Sequence, residues 1–243
     1  MDYALNNGAG GGKRLGLIVL QTDETLEFEA RQLLAGHDTA LFHARIPNGA
    51  DITPESLAAM EAELPRTAAL LPAGLDAIGY ACTSGATVIG PEEVEDCVQT
   101  AHPGVPVTNP ISAVIAALDA LGARRIAMVT PYVAEVTAPM RALLAECGVE
   151  VVSEVSFQEP DDAKVARIDP ESTSAAVIEA GKAEGVEAVF ASCTNLQTFE
   201  IIDYGEHVLD LPVISSNQAL LWHMLRLSGQ DCTGWGPGRL FSI

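Results

Sequence analysis

Short apolar runs alternate along this chain with longer stretches in which apolar positions return every three or four residues. The runs Leu15–Leu20, Thr39–Ile46, Ala77–Ala81, Val105–Thr108, Arg125–Thr130, Val149–Ser156, Ala188–Ser192 and Val213–Ser215 read as strands. Between them, Leu26–Leu34, Pro54–Leu71, Pro91–Thr100, Ser112–Leu121, Val133–Cys147, Ser172–Glu184 and Asn217–Leu227 read as helices. Leu-Gly-Leu-Ile-Val-Leu and Ile-Ala-Met-Val-Thr are apolar on both faces, the pattern of a parallel strand covered by helices above and below. Strand–helix alternation of this kind predicts an α/β fold with mainly parallel sheets. Residues 1–13, polar and glycine-rich, read as a flexible leader.

The pattern also repeats. Leu15-Gly-Leu-Ile-Val-Leu and the helix ending Arg31-Gln-Leu-Leu resemble Arg125-Ile-Ala-Met-Val-Thr and the helix ending Arg141-Ala-Leu-Leu. Asp76-Ala-Ile-Gly-Tyr-Ala-Cys-Thr-Ser resembles Glu187-Ala-Val-Phe-Ala-Ser-Cys-Thr-Asn, and the segment from Val105 resembles that from Leu211. Three blocks in the same order indicate a duplicated α/β unit. The predicted organisation is two pseudo-symmetric domains, 14–110 plus 216–243 and 111–215, with an active-site cleft between them. Each half carries a cysteine directly after a strand, Cys82 in one and Cys193 in the other. Loops at the carboxyl ends of parallel strands are where open α/β sheets place ligands.

Composition narrows the function. No apolar run approaches the roughly 18 residues of a membrane helix. Thirty-three acidic residues against 13 basic ones give a net charge of −20. That surface repels nucleic-acid backbones and anionic membranes, so neither is expected as a partner. The N-terminus lacks a basic segment followed by an apolar one, so no signal peptide is expected. The five cysteines form no CxxC pair and no zinc-like cluster with histidine. Reduced thiols in a cytoplasmic protein are the simplest account, with no metal site.

The two repeated cysteines suit a definite chemistry. In Cys82-Thr83-Ser84-Gly85 and Cys193-Thr194-Asn195, backbone N–H groups and the side chains of Thr83, Ser84, Thr194 and Asn195 are placed to bind a substrate carboxylate. The same groups are expected to lower the thiol pKa. For one cysteine alone, burial as a small apolar residue is the plainer explanation, and duplication argues against it. Two thiols facing one carbon can remove a proton from one side and deliver one to the other, inverting configuration. One thiolate can equally add to an alkene, allow rotation and leave, exchanging geometric isomers. Neither route asks for a cofactor. Cys97, in the acidic stretch Glu92–Asp96, is expected to be unreactive, and Cys147 to stand at a helix end.

Gly79-Tyr-Ala-Cys-Thr-Ser-Gly85, Ala191-Ser-Cys-Thr-Asn195 and Thr130-Pro-Tyr132 resemble the maleate isomerase branch of the aspartate/glutamate racemase superfamily, which includes arylmalonate decarboxylases. The resemblance spans nearly all of residues 14–240. It implies two pseudo-symmetric α/β domains, no cofactor and a homo-oligomer. It implies Cys82 as nucleophile or first base, Cys193 as the opposing acid, and Tyr132 as a hydrogen-bond donor to a substrate carboxylate or intermediate.

Two departures bear on the substrate. Where maleate isomerases carry an Asn in a Ser-Asn-Thr-Thr-like turn, this chain has Gln21-Thr-Asp-Glu-Thr25, with Asp23 at that position; Asp162 falls where a second family Asn is expected. An ionised Asp repels a carboxylate and suits an ammonium group. Asp23 would serve equally as a helix cap. The Thr-Asp-Glu-Thr turn resembles the ectoine-utilisation proteins of this branch, which implies a diaminobutyrate-type amino acid from ectoine or hydroxyectoine breakdown. The resulting expectation is a two-cysteine racemase or epimerase. A maleate-type cis–trans isomerase, a malonate decarboxylase and a non-enzymatic metabolite-binding protein stand as alternatives.

Overall fold

In the computed structural model, which describes residues 1–6, 8, 11–49 and 51–243, the chain forms two four-stranded parallel sheets. The first comprises β1 (Lys13–Leu20), β2 (Thr39–Ile46), β3 (Ala77–Ala81) and β4 (Val107–Thr108) in the order β2-β1-β3-β4. The second comprises β5 (Arg125–Thr130), β6 (Glu150–Ser156), β7 (Ala188–Ala191) and β8 (Val213–Ser215) in the matching order β6-β5-β7-β8. All eight predicted strands are present, and the identical order makes the sequence repeat a structural one. Leu15, Leu17, Ile18 and Val19 on β1 and Ile126–Val129 on β5 are fully buried, as strands covered on both faces require.

The helices are α1 (Leu26–Leu33), α2 (Pro54–Ala58), α3 (Leu64–Ala68), α4 (Thr83–Ile89), α5 (Pro91–Gln99), α6 (Pro110–Leu121), α7 (Ala134–Glu146), α8 (Asp162–Val165), α9 (Pro170–Gly181), α10 (Phe199–Leu209) and α11 (Ser216–Leu227). Three of these, α4, α8 and α10, are absent from the sequence reading. The single helix predicted over Pro54–Leu71 is instead α2, a short 3-10 turn and α3. Pro65 accounts for the break, because a proline inside a helix removes a donor and clashes with the preceding turn. The expected leader is also shorter, since Lys13 already pairs with Thr39 in β1. Its residues 7, 9 and 10 lie outside the described residues. The other leader residues, before Lys13, carry no helix or strand.

Helices α6 and α11 pack on each other, and α11 also lies against β3, β4 and β8, so it joins the two sheets. This contact explains Gly79 in the motif around Cys82. A methyl carbon added at Gly79 would stand 2.5 Å from Met224 Sδ and 3.3 Å from Leu220 Cδ1 of α11. The glycine lets the helix lie directly on the strand that carries the cysteine. Gly79→Val should therefore lower the unfolding free energy by about 1–3 kcal/mol, the usual cost of overfilling a packed core. Urea denaturation of the variant at unchanged stability would show that α11 does not press on β3 as described.

Candidate active site

Each cysteine emerges from the third strand of its sheet at the carboxyl end. Val19 pairs with Ala81 in the first sheet and Val129 with Ala191 in the second, so the two loops leave equivalent places. The loops touch: the Thr194 hydroxyl donates to the carbonyl of Ala81 at 3.5 Å, joining the residue after one cysteine to the residue before the other. Cys82 and Cys193 are each 3% exposed and line one narrow pocket with a cavity volume of about 20 Å³. Ser84, Tyr132, Asp162 and Thr194 line it with them. The buried hydroxyl of Tyr132 stands beside the Cys193 thiol and the Ser84 hydroxyl.

Three expected binding residues lie behind this wall. Thr83 shares a hydrogen bond of 2.8 Å with Ser216 at the start of α11. Asn195 ties the second half to the first: its amide donates to the carbonyls of Asp162 and Thr22 and accepts from Glu24 N. Asp23 caps α1, with Oδ1 accepting from Thr25 N and Leu26 N at 2.9 Å each. Its other oxygen is unusual. The Thr194 hydroxyl lies beside the Asp23 carboxyl but donates to Ala81, leaving Asp23 Oδ2 buried with no donor in bonding geometry. The rest of the cavity wall comes from Leu20 at the end of β1 and from the segment after β2, including Asn48, Asp51, Ile52 and Met60, which the sequence reading did not single out. Asn48 has a local signal: its amide donates to Thr22 Oγ1 at 2.8 Å, and the Thr22 hydroxyl donates to Asp162.

The thiols are not activated as the sequence reading expects. Gly85 N donates to Cys82 Sγ at 3.2 Å and Asn195 N to Cys193 Sγ at 3.3 Å, and these contacts do favour the thiolates. Burial opposes them and dominates, with the Asp162 and Asp23 carboxyls adding to it; the Cys82 thiol is pushed up to about 12 and that of Cys193 still higher. These surroundings favour the neutral thiol at both positions. The carboxyls shift the same way: burial raises Asp23 to about 6 and also raises Asp162. Gly85 completes the fit, since a methyl there would stand 2.7 Å from Tyr80 Oη, 2.8 Å from Met60 Cε and 2.9 Å from Cys82 Sγ.

One further buried acid was not anticipated. Glu29 occupies the apolar face of α1 with Leu26, Ala30 and Leu33. A carboxylate on an apolar stripe is a legible signal of a buried, bonded group. It accepts from Thr198 N, Phe199 N and Asn217 Nδ2, and burial still raises it to about 7. Among the described residues, no group of three or more His, Cys, Asp or Glu side chains is arranged to hold a metal ion. No described helix is long and apolar enough to cross a membrane.

Fold and site together define a pseudo-symmetric α/β enzyme with paired thiols on one cavity. The chain belongs to the arylmalonate decarboxylase family, whose model matches residues 15–241. It is 28% identical over 240 residues to the maleate isomerase of Nocardia farcinica, covering 95% of this chain and 96% of that protein. It superimposes at a TM-score of 0.84 and 27% identity on a variant of the maleate isomerase Iso from Pseudomonas putida S16 solved with maleate, covering 95% and 97% of the two chains. At a TM-score of 0.82 and 26% identity, with 94% and 98% covered, it matches a variant of the Nocardia farcinica maleate cis-trans isomerase carrying a covalently bound succinylcysteine intermediate. These relatives bear out the expected branch, the two-part α/β fold and an isomerase.

Two predictions follow from the buried acids and thiols. Iodoacetamide at pH 7 should label exposed Cys147 first, with Cys82 and Cys193 slow and accelerating as pH rises; faster labelling of either at pH 7 would reveal a resting thiolate and overturn this picture. Glu29, raised from 4.5 to about 7, lets the folded state hold a proton that the unfolded chain has lost. Its contribution is complete below pH 4.5 and is lost as pH rises through 7. The stability decline across this window should flatten in Glu29→Gln, measured by urea denaturation at a series of pH values; an unchanged slope would contradict the assignment.

Proposed function

We propose that this chain is a cofactor-independent isomerase in which Cys82 and Cys193 act on opposite sides of a small carboxylic acid, and that its substrate also carries an amino group. The observation that carries the second part is charge. The cavity is lined by Asp51 and Asp162, with the unpartnered Asp23 Oδ2 behind its wall, and no Lys or Arg is among its lining residues. A dianion entering this space would meet two carboxyls and two thiols. An ammonium group would pair with the lining carboxyls and offset the field that holds both thiols protonated.

In this reading one thiol releases its proton to solvent as the substrate enters, the resulting thiolate takes the α-proton and the opposite thiol delivers its own, so that the α-carbon loses one proton and gains one and the product is the inverted amino acid. Cys82 is the first base, Cys193 the opposing acid, and Tyr132, with Ser84 and Thr194, holds the carboxylate. The turn around Asp23 supports a diaminobutyrate-type substrate of ectoine or hydroxyectoine breakdown. Homo-oligomeric assembly and a cytoplasmic setting belong to the same reading.

A second reading, maleate-type cis–trans isomerisation by thiol addition, rotation and elimination, is favoured by the relatives, one of which is a maleate isomerase carrying a succinylcysteine intermediate. The two are separated by assaying maleate-to-fumarate conversion beside solvent-deuterium uptake at the α-carbon of amino acids. The amino-acid reading expects deuterium incorporation, little fumarate, loss of turnover in Cys82→Ala and in Cys193→Ala, and weaker amino-acid binding in Asp23→Asn/Asp162→Asn. Fumarate production with no deuterium uptake would replace it with the second reading.

A further inference from the structure

The proposed chemistry treats the two thiols as partners, yet their loops are supported differently. Cys82 is held by its own helix: its sulfur accepts from Gly85 N and its carbonyl from Ala86 N at 3.0 Å, so the residue is built into the first turn of α4. Cys193 lies in the irregular segment between β7 and α10. Much of what fixes that segment comes from the other half of the molecule. Asn195 is bonded to Thr22 and Glu24, and its carbonyl accepts from the Thr25 hydroxyl at 2.9 Å.

Beneath this segment sits Glu29. Its Oε1 accepts from Thr198 N at 2.6 Å and Phe199 N at 2.9 Å, closing the end of the segment onto α1. Its Oε2 accepts from Asn217 Nδ2 at 2.6 Å, and the same nitrogen donates to the carbonyl of Thr194 at 2.9 Å. Thr194 is the residue next to Cys193. Asn217 Oδ1 is buried without a partner, so the amide has one useful orientation, with its nitrogen between the two acceptors. Glu29 enforces that orientation because a carboxylate offers only acceptors. The repeat fails at just these places. By the block alignment, the counterparts of Glu29 and Asn217 in the other half are Pro139 and Ile111, so Cys82 has no such support.

We propose that Glu29, acting through Asn217, is a positioning residue for Cys193, and that this pair makes the two repeated thiols functionally unequal. The inference rests on the reading of both cysteines as reacting groups, and it names neither residue as touching substrate. Its consequence is selective. Loss of the pair should loosen the Thr194 carbonyl and displace the neighbouring thiol while leaving the loop of Cys82 in place.

The test is residue-resolved iodoacetamide labelling of the full chain at pH 9, read by mass spectrometry, in Asn217→Ser and Glu29→Gln. Asn217→Ser keeps the bonds from Thr198 and Phe199 to Glu29 and removes the amide bridge between Glu29 and the Thr194 carbonyl. Glu29→Gln presents a donor to Asn217 and favours the turned amide. The ratio of the Cys193 rate to the Cys82 rate should change about tenfold in both variants, with Cys82 itself within roughly twofold of wild type. Where turnover is measured, kcat should fall about 10- to 100-fold with little change in KM, the usual scale for misplacing a reacting group. Equal shifts at both thiols, or no shift at either, would overturn the assignment. Should Glu29→Gln fail to fold, Asn217→Ser decides alone. The labelling ratio needs no substrate, so a wild-type protein inactive on every compound tried would sink the functional reading and leave this result standing.

Discussion

A thiolate surrounded by protein and by carboxyl groups is disfavoured twice, once by lost solvation and once by like charge. Cys82 and Cys193 face both penalties, with a backbone N–H and one hydroxyl each, Ser84 for Cys82 and Tyr132 for Cys193, as counterweights. The magnitudes show what the site needs. A unit positive charge about 4 Å from a forming thiolate contributes on the order of 4 kcal/mol at an effective dielectric of 20, or about three pKa units. That is the scale of the rise at Cys82, from 9.0 to about 12. Among the lining residues no side chain supplies such a charge, so a substrate that brings its own would activate the thiols on arrival and leave them inert otherwise.

The duplicated fold makes this arrangement possible. Two sheets with the same strand order deliver two loops of the same kind to one seam, and the contact between Thr194 and Ala81 fixes the loops against each other. Besides the packing of α11 on α6 and β8, polar side chains reach across the halves: Thr22 to Asp162, Asn195 to Thr22 and Glu24, and Glu29 to the start of α10. Such contacts are directional, and they fix loop geometry more tightly than apolar packing of the same area. Duplication placed the cysteines; side chains outside the repeat hold them.

Much of this was legible in the chain. The strands were read correctly because they are apolar on both faces and have few competing interpretations. Helix α10 was missed because Phe-Glu-Ile-Ile-Asp-Tyr-Gly carries a β-branched pair and an interior glycine, both poor helix formers, while its support comes from packing against β8 and α9. Helices α4 and α8 are seven and four residues long, too short for periodicity to register. Cys82, Cys193 and Tyr132 stand in local motifs and Asp162 at a position that the family resemblance points to, and all four line one pocket. The wall from Asn48 to Met60 was not legible in this way, since it reaches the cavity only through tertiary folding. The direction of the thiol shift was misjudged for the same reason: a motif displays the N–H groups beside a sulfur, but not how completely the sulfur is buried.

Inversion at a carbon places a further demand on the carboxyls. The two enantiomers of an amino acid share a carboxylate, an amino group and a side chain, and only the proton must change sides. A site that exchanges them has to grip the amino group and the carboxylate identically in both, leaving the proton free to come from either thiol. Asp162 of the second half is tied to Thr22 of the first, and Asp23 follows Thr22 in the same turn, so the two acids approach each other across the seam. An amino group held there and a carboxylate held by the groups following the cysteines would leave the α-carbon facing both sulfurs. A planar alkene dianion has no cationic group for the acids to hold. The acids of the proposed site therefore support the amino-acid reading through their charge.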